Sequence, residues 1–241
     1  MEKRIQTAAV ILAAGTGKRM GSDVPKQFLM LRGEPVLYWT LRAFEESGVQ
    51  QSVVVLSSEE AEAFCRHEII EKHGFQKVRA FVRGGAERYD SVWNGLCALT
   101  DVLDPASGYV LIHDGARCLV TAEVIERTLT DAKRCGAAVA SVPVKDTIKR
   151  VNTDGFSAET LDRKTLRQMQ TPQTFSFSLI REAYRKMVEE DSQPDVTDDA
   201  EVLQRMCRKS TFLSEGSYEN LKITTPEDLL LAEAILQSRG Y

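Results

Sequence analysis

Lys18, Arg19 and Lys26 stand among Gly15, Gly17 and Gly21, directly after the apolar run Ala8-Ala9-Val10-Ile11-Leu12. Small residues let a phosphate or a base come close to the backbone, where N–H groups cradle oxyanions. Arg and Lys add fixed positive charge beside that cradle. Strand, glycine loop and cations in this order point to binding of a nucleoside triphosphate. The competing reading is an ordinary strand–turn–helix junction carrying surface cations.

Spacing separates this loop from two better-known phosphate loops. No Gly-x-x-x-x-Gly-Lys-Ser/Thr string occurs, so it is not a Walker loop. Gly15 and Gly17 are followed by Met20, with Gly21 one residue late for a dinucleotide fingerprint. Further along, His113-Asp114-Gly115-Ala116-Arg117 follows an apolar run. Asp114 is a candidate Mg²⁺ ligand, since Mg²⁺ is held by one or two carboxylates plus substrate phosphates; a turn-capping Asp is the alternative. His113 reads as a strand-end packing residue rather than a base. Gly84-Gly85-Ala86-Glu87-Arg88 with Ser91 is a second small-residue loop opening a helix, suited to a base or ribose. Thr171-Pro172-Gln173, Thr197-Asp198 and Lys222 read singly as caps or solvated charges.

No Ser–His–Asp order, reactive-cysteine context or metal-binding histidine pair stands out. A phosphate-monoester nucleophile needs none, being largely dianionic at neutral pH with a second pKa of about 6. Catalysis then reduces to positioning and charge neutralisation by Arg, Lys and Mg²⁺.

The elements that must position these groups alternate in type. Strands are expected at Ser52–Leu56, Lys77–Val82, Tyr109–His113 and Ala137–Pro143. Helical spacing links Leu37, Leu41 and Phe44, then Tyr89, Val92, Leu96 and Leu99, then Val124, Ile125, Leu129 and Ala132. Ser57 and Glu60 suggest a capping box before a helix over Glu59–His73, with Gly74 as its stop. Such alternation predicts an α/β fold: a Rossmann-like, mostly parallel sheet with helices on both faces. Ligands of such sheets sit beyond the strands' carboxyl ends, so Ala13–Lys26, Gly84–Arg88 and Asp114–Arg117 should converge on one crevice.

Val144–Phe175 breaks the rhythm. Val144, Asp146, Ile148 and Arg150 alternate, Asn152-Thr153-Asp154-Gly155 is a turn signal, and Ser157–Leu161 can return as a second strand. This predicts a β-hairpin arm at about 144–165 inserted into one domain spanning 1–241. A lone hairpin is marginal in water, so the arm should pack on a second copy in a homodimer. Beyond it are expected a helix near Phe177–Val188, a Thr197-capped helix, a strand at Asn220–Ile223 and a helix opened by Thr225-Pro226-Glu227-Asp228.

Bulk properties fit. The 241 residues carry 31 basic and 35 acidic side chains, a balance that argues against general nucleic-acid binding. No apolar run approaches the ~18 residues of a membrane span. Five scattered cysteines without Cys-x-x-Cys spacing suit a reducing cytoplasm and no structural zinc.

Taken together, the blocks resemble the 2-C-methyl-D-erythritol 4-phosphate cytidylyltransferases of non-mevalonate isoprenoid synthesis. They are Leu12–Met20, Pro25-Lys26-Gln27, Gly84-Gly85-x-Glu87-Arg88-x-x-Ser91, His113-Asp114-x-Ala116-Arg117, Asp146-Thr147-Ile148-Lys149, Asp162-Arg163, Gln170-Thr171-Pro172-Gln173, Thr197-Asp198 and Asn220-x-Lys222-Ile223. The resemblance implies transfer of a cytidylyl group from CTP to a sugar-alcohol phosphate, with Mg²⁺. It implies that Arg19 and Lys26 neutralise the triphosphate in the transition state. Ala13, Ala14, Gly15, Thr16, Gly17, Gly84, Ser91 and Ala116 would hold CTP, and Asp114 the metal. Arg117, Thr147, Thr171 and Thr197 would surround the sugar phosphate, which Arg163 and Lys222 would aim at the α-phosphorus. Thr147 and Arg163 would reach the site of the partner subunit. His-Asp-Gly-Ala-Arg-Cys departs from the family's usual His-Asp-Ala-Ala-Arg-Pro, so Gly115 and Cys118 should loosen that loop. Ribitol-5-phosphate cytidylyltransferase is the nearest alternative in the same chemistry; Asp162-Arg163 disfavours it. A silent nucleotide-binding regulator is the alternative from another class, and intact Arg19, Lys26 and Asp114 disfavour that.

Overall fold

The computed structural model describes residues 6–15, 24–190 and 195–241. The chain runs β1 (Thr7–Ala13), the short pair β2 (Met30–Leu31) and β3 (Glu34–Pro35), α1 (Val36–Glu46), β4 (Gln51–Leu56) and α2 (Glu59–Phe64). It continues through β5 (Val78–Arg83), α3 (Arg88–Ala98), β6 (Tyr109–Asp114), α4 (Ala122–Cys135), β7 (Ala137–Pro143), β8 (Lys149–Val151) and β9 (Ser157–Thr160). Last come β10 (Arg167–Ser176), α5 (Phe177–Glu189), α6 (Asp199–Cys207), β11 (Phe212–Glu215) and α7 (Pro226–Ser238). Seven strands form one sheet in the order β11-β7-β10-β6-β1-β4-β5. All neighbours are parallel except β10, which runs antiparallel between β6 and β7.

Alternating side chains divide the core. Val10, Val53, Val55 and Ile112 face α3, α5 and α6; Ile11, Val54 and Leu111 face α1, α4 and the α2 region. Burial on both faces is why these strands read as continuous Val/Ile/Leu runs. A third cluster, with Trp39, Ala116, Ile223 and Leu236, seats α7 beside the end of β6. The expected closing helix is present as drawn, with Thr225 and Asp228 reciprocally capping behind Pro226. The hairpin is present too, shorter than expected, as β8 and β9 turning at Gly155.

Several expectations need correction. Ser58, not Ser57, caps α2 by accepting from Ala61 N, and the helix continues as a π-helix over Cys65–Glu71. Asp198, not Thr197, caps α6 by accepting from Glu201 N. At both ends two cap-competent residues are adjacent, and the buried helix face selects which stands outside the first turn. Asn220–Ile223 is not a strand. It is an extended tether whose groups are taken singly: Ile223 N donates to Ala116 O, and Asn220 Nδ2 to Thr171 O, both at 2.8 Å. Nothing in the sequence marks β10 as a strand, because Pro172 and its polar neighbours argue against an interior position. A register shift between Met169 and Gln173 accommodates them. The edge strand β11 is a further addition.

Candidate active site

β1, β4 and β6 are in parallel register, pairing Leu12 with Asp114 and Ala13 with Leu56. The segments that follow these strands and β5 therefore open at one end of the sheet. They enclose a crevice of about 380 Å³ lined among others by Ala13, Ala14, Gly15, Lys26, Ser91, Asp114, Ala116 and Lys222. Convergence of the three sequence blocks on one crevice is thus observed. Thr16, Gly17 and Arg19 lie outside the described residues.

The nucleotide side of the crevice is tightly drawn. A Cβ on Gly84 would lie 2.4 Å from Ala14 Cβ and 3.1 Å from Ser91 Oγ, so glycine is what lets the two loops touch. Ser91 Oγ accepts from Gly85 N and donates to Glu87 O. That fixes the loop before α3 without consuming its remaining edge. Gln27, buried, donates from Nε2 to Ala13 O at 2.6 Å, tying the Lys26 turn to the end of β1. Lys26 Nζ donates to Ile223 O at 2.9 Å.

Asp114 is the electrostatic centre. Lys222 Nζ is 2.8 Å from its Oδ2, Arg88 Nε 3.4 Å from Oδ1 and Arg117 Nε 3.9 Å from Oδ2. Burial alone would raise its pKa; Arg88, Lys222 and Arg117 outweigh burial and hold the carboxyl well below the usual range. Arg117 also donates to Asn220 O at 2.8 Å, while its buried Nε lacks a hydrogen-bond partner.

Behind Asp114 a relay sets the loop. Asp114 N donates to Thr171 Oγ1 at 3.1 Å; Thr171 Oγ1 is 3.0 Å from His113 Nδ1, and His113 Nε2 is 3.2 Å from Arg117 O. Burial pushes the His113 pKa down to about 4. A neutral imidazole accepting from Thr171 and donating to Arg117 O satisfies every member. His113 is a packing residue set edge-on to Phe44. The loop is not loosened by Gly115: its N donates to Leu12 O and its O accepts from Thr40, each at 2.8 Å. Cys118 is buried in the cluster under α7.

Other expected residues sit apart. Thr171 lies in the layer behind Asp114. Thr197 N and Oγ1 donate to Glu201 Oε2. Thr147 is exposed on the arm, where Arg163 Nη1 donates to Lys145 O at 2.6 Å. None of these lines the crevice of its own chain. Arg88 entered the sequence reading only as the end of the Gly84–Arg88 loop, and Asp199 carried no role in it. Arg88 lines the crevice, and its fork meets the fully buried Asp199 at 2.8 Å on both oxygens. An arginine at the first helical position opposes the helix dipole, a further signal that Arg88 has a partner elsewhere.

Among the described residues no group of three His, Cys, Asp or Glu could cage a metal. Asp114 is the buried carboxylate of a lining that also holds the exposed Glu87; so few ligands suit Mg²⁺ shared with substrate phosphates rather than an all-protein site.

A family model for 2-C-methyl-D-erythritol 4-phosphate cytidylyltransferase matches residues 7–238. The cytidylyltransferase of that name from Alkaliphilus oremlandii is 46% identical over 240 residues, 99% of this chain and 98% of its own. Among solved structures, the 4-diphosphocytidyl-2C-methyl-D-erythritol synthase of Anaerococcus prevotii aligns with a TM-score of 0.81 at 31% identity, over 96% of each chain. The Thermus thermophilus 2-C-methyl-D-erythritol 4-phosphate cytidylyltransferase aligns at 0.76 and 33% identity, over 97% of this chain and 100% of its own.

Proposed function

The chain belongs to the 2-C-methyl-D-erythritol 4-phosphate cytidylyltransferase family, and from that premise we propose how its crevice does the family's chemistry. The enzyme transfers a cytidylyl group from CTP to 2-C-methyl-D-erythritol 4-phosphate, releasing pyrophosphate, in isoprenoid precursor synthesis. A phosphate oxygen of the acceptor forms a bond to the α-phosphorus as the bond to the pyrophosphate oxygen breaks. No proton need be removed from the dianionic acceptor. The residues have only to align the two phosphates and neutralise charge.

CTP enters over Ala13, Ala14 and Gly15, its base held between Gly84, Ser91 and Ala116. Lys26 neutralises the triphosphate, with Arg19 in the same role. Asp114 holds Mg²⁺, which screens charge on the triphosphate when bound. Lys222, with its side chain 37% exposed, is placed to leave Asp114 for the incoming sugar phosphate. Arg117 Nε, buried without a hydrogen-bond partner, suits an oxygen of that phosphate. Thr171 serves this side indirectly, fixing the backbone of Asp114 from behind, and Thr197, whose Oγ1 donates to Glu201, lies beyond the crevice lining. The observation that carries the reading is Asp114, held ionised among three cations at the convergence of the loops.

We read 1–241 as one nucleotidyltransferase domain with its arm at 144–165. The arm exposes Val151 and Phe156 at 64% and 73%, which supports a homodimer in which Thr147 and Arg163 serve the other subunit's crevice. Five free cysteines support a cytoplasmic enzyme; among the described residues no helix is long and apolar enough to cross a membrane. Pyrophosphate release from CTP, measured with methylerythritol phosphate and with ribitol 5-phosphate in turn, tests the assignment. A higher kcat/KM is expected with methylerythritol phosphate; a preference for ribitol phosphate would overturn it.

A further inference from the structure

We infer that Asp199 is a positioning residue that keeps Asp114 available to a divalent cation by holding Arg88 away from it. The inference rests on the proposed metal role of Asp114. An arginine offers its two Nη donors as an end-on fork, or Nε with one Nη as a side-on fork. In Arg88 the end-on fork is committed, Nη1 and Nη2 lying 2.8 Å from Oδ1 and Oδ2 of Asp199. Of its three remaining N–H groups only Nε reaches Asp114, at a long 3.4 Å, because the bond to Asp199 fixes where the guanidinium sits rather than using up its donors.

Asp199 is itself tied down. It opens α6, is fully buried, and accepts from Tyr184 Oη at 2.5 Å. α6 is pinned in turn to β10, where Gln173 accepts from Ala200 N at 3.0 Å and donates to Asp198 Oδ2 at 3.1 Å. The guanidinium is therefore clamped from behind by a group outside the crevice lining. Of the two cations nearest Asp114, Lys222 has the more exposed side chain and can swing away; Arg88 cannot follow it. Without the charge of Asp199, the Arg88 fork would be free to close side-on onto Asp114. A bidentate guanidinium there would compete with a metal for the same oxygens.

Water-proton relaxation enhancement by Mn²⁺, with CTP present and no acceptor, reads the site without turnover. Wild type should show an enzyme-dependent enhancement above that of Mn²⁺ and CTP alone. If it does not, the metal reading of Asp114 fails, and this inference with it. Given that enhancement, D199N should bind Mn²⁺ about tenfold more weakly, a coupling ordinary for residues in one charged network. D199E, which keeps the charge, should bind close to wild type. Equal affinity in D199N and wild type would overturn the role of Asp199. Should D199N not fold, the charge-balanced R88Q/D199N pair decides. With the competing arginine gone it should bind Mn²⁺ at least as tightly as wild type; weaker binding would mean that Asp199 only supports the fold.

Discussion

Lys222 Nζ lies 2.8 Å from Asp114 Oδ2, so the lysine that would receive the sugar phosphate rests on the carboxylate that would receive the metal. Each neutralises the other, and on the proposed mechanism the two would part as a cation and a phosphate entered between them. A buried carboxylate with three cations around it also carries a stability cost if it alone is removed, because the cations are then unbalanced.

Asp114→Asn should therefore act twice. Activity should fall by roughly 10²-fold or more and require more Mg²⁺ for half-activation, since one preorganised charge is lost. Steady-state assays across a Mg²⁺ series check this. Half-activation at the wild-type Mg²⁺ concentration would remove Asp114 from the metal site.

Lys26→Ala should reduce kcat about 10²–10³-fold while weakening CTP binding much less, because its charge is most valuable as the triphosphate reacts. Paired kcat measurements and CTP titrations separate the two. Near-normal turnover would exclude this loop from the chemistry.

Gly84→Ala should selectively impair nucleotide binding. The new methyl would lie 2.4 Å from Ala14 Cβ, and relieving that overlap costs about 1–3 kcal/mol. A rise of at least several-fold in the KM for CTP is expected, with the KM for the acceptor little changed. An unaltered KM for CTP would show that the two loops need not touch.

His113 gives a pH dependence of known sign. Its folded pKa is about 4, below the 6.5 of the free side chain. The unfolded chain binds the extra proton, so stability is full above pH 6.5 and falls as pH drops toward 4. The loss should reach on the order of 2–3 kcal/mol by pH 4.5. Asp114 contributes in a separate window at lower pH, since its folded pKa is depressed. Urea unfolding of wild type and His113→Gln at pH 7.5 and 4.5 isolates the histidine. If both lose stability equally on acidification, His113 does not titrate as a buried neutral ring.

The arm allows a complementation test. Lys26→Ala and Arg163→Ala chains, each inactive alone, should regain roughly a quarter of wild-type activity after subunit exchange. Random pairing makes about half the dimers mixed, each with one intact site. No recovery after verified exchange would mean that Arg163 serves its own crevice.

The sequence alone determined what local rules govern. The apolar runs of β1, β4, β6 and β7 and the helical spacing of Val124, Ile125, Leu129 and Ala132 in α4 follow from burial patterns, which act over a few residues. The crevice followed as well, because parallel strands must open their loops at one end. Thr225-Pro226 with Asp228 likewise specified where α7 starts. Tertiary structure decided the rest. Whether Ser57 or Ser58, Thr197 or Asp198, caps a helix depends on which face of that helix the core takes. β10 enters the sheet interior despite Pro172 because Asn220 and Thr171 satisfy the groups its irregular register leaves unpaired. Asp199 became legible only when folding brought it from α6 against Arg88 on α3. Its weight is electrostatic and set by distance in space, and nothing in the spacing along the chain encodes that distance.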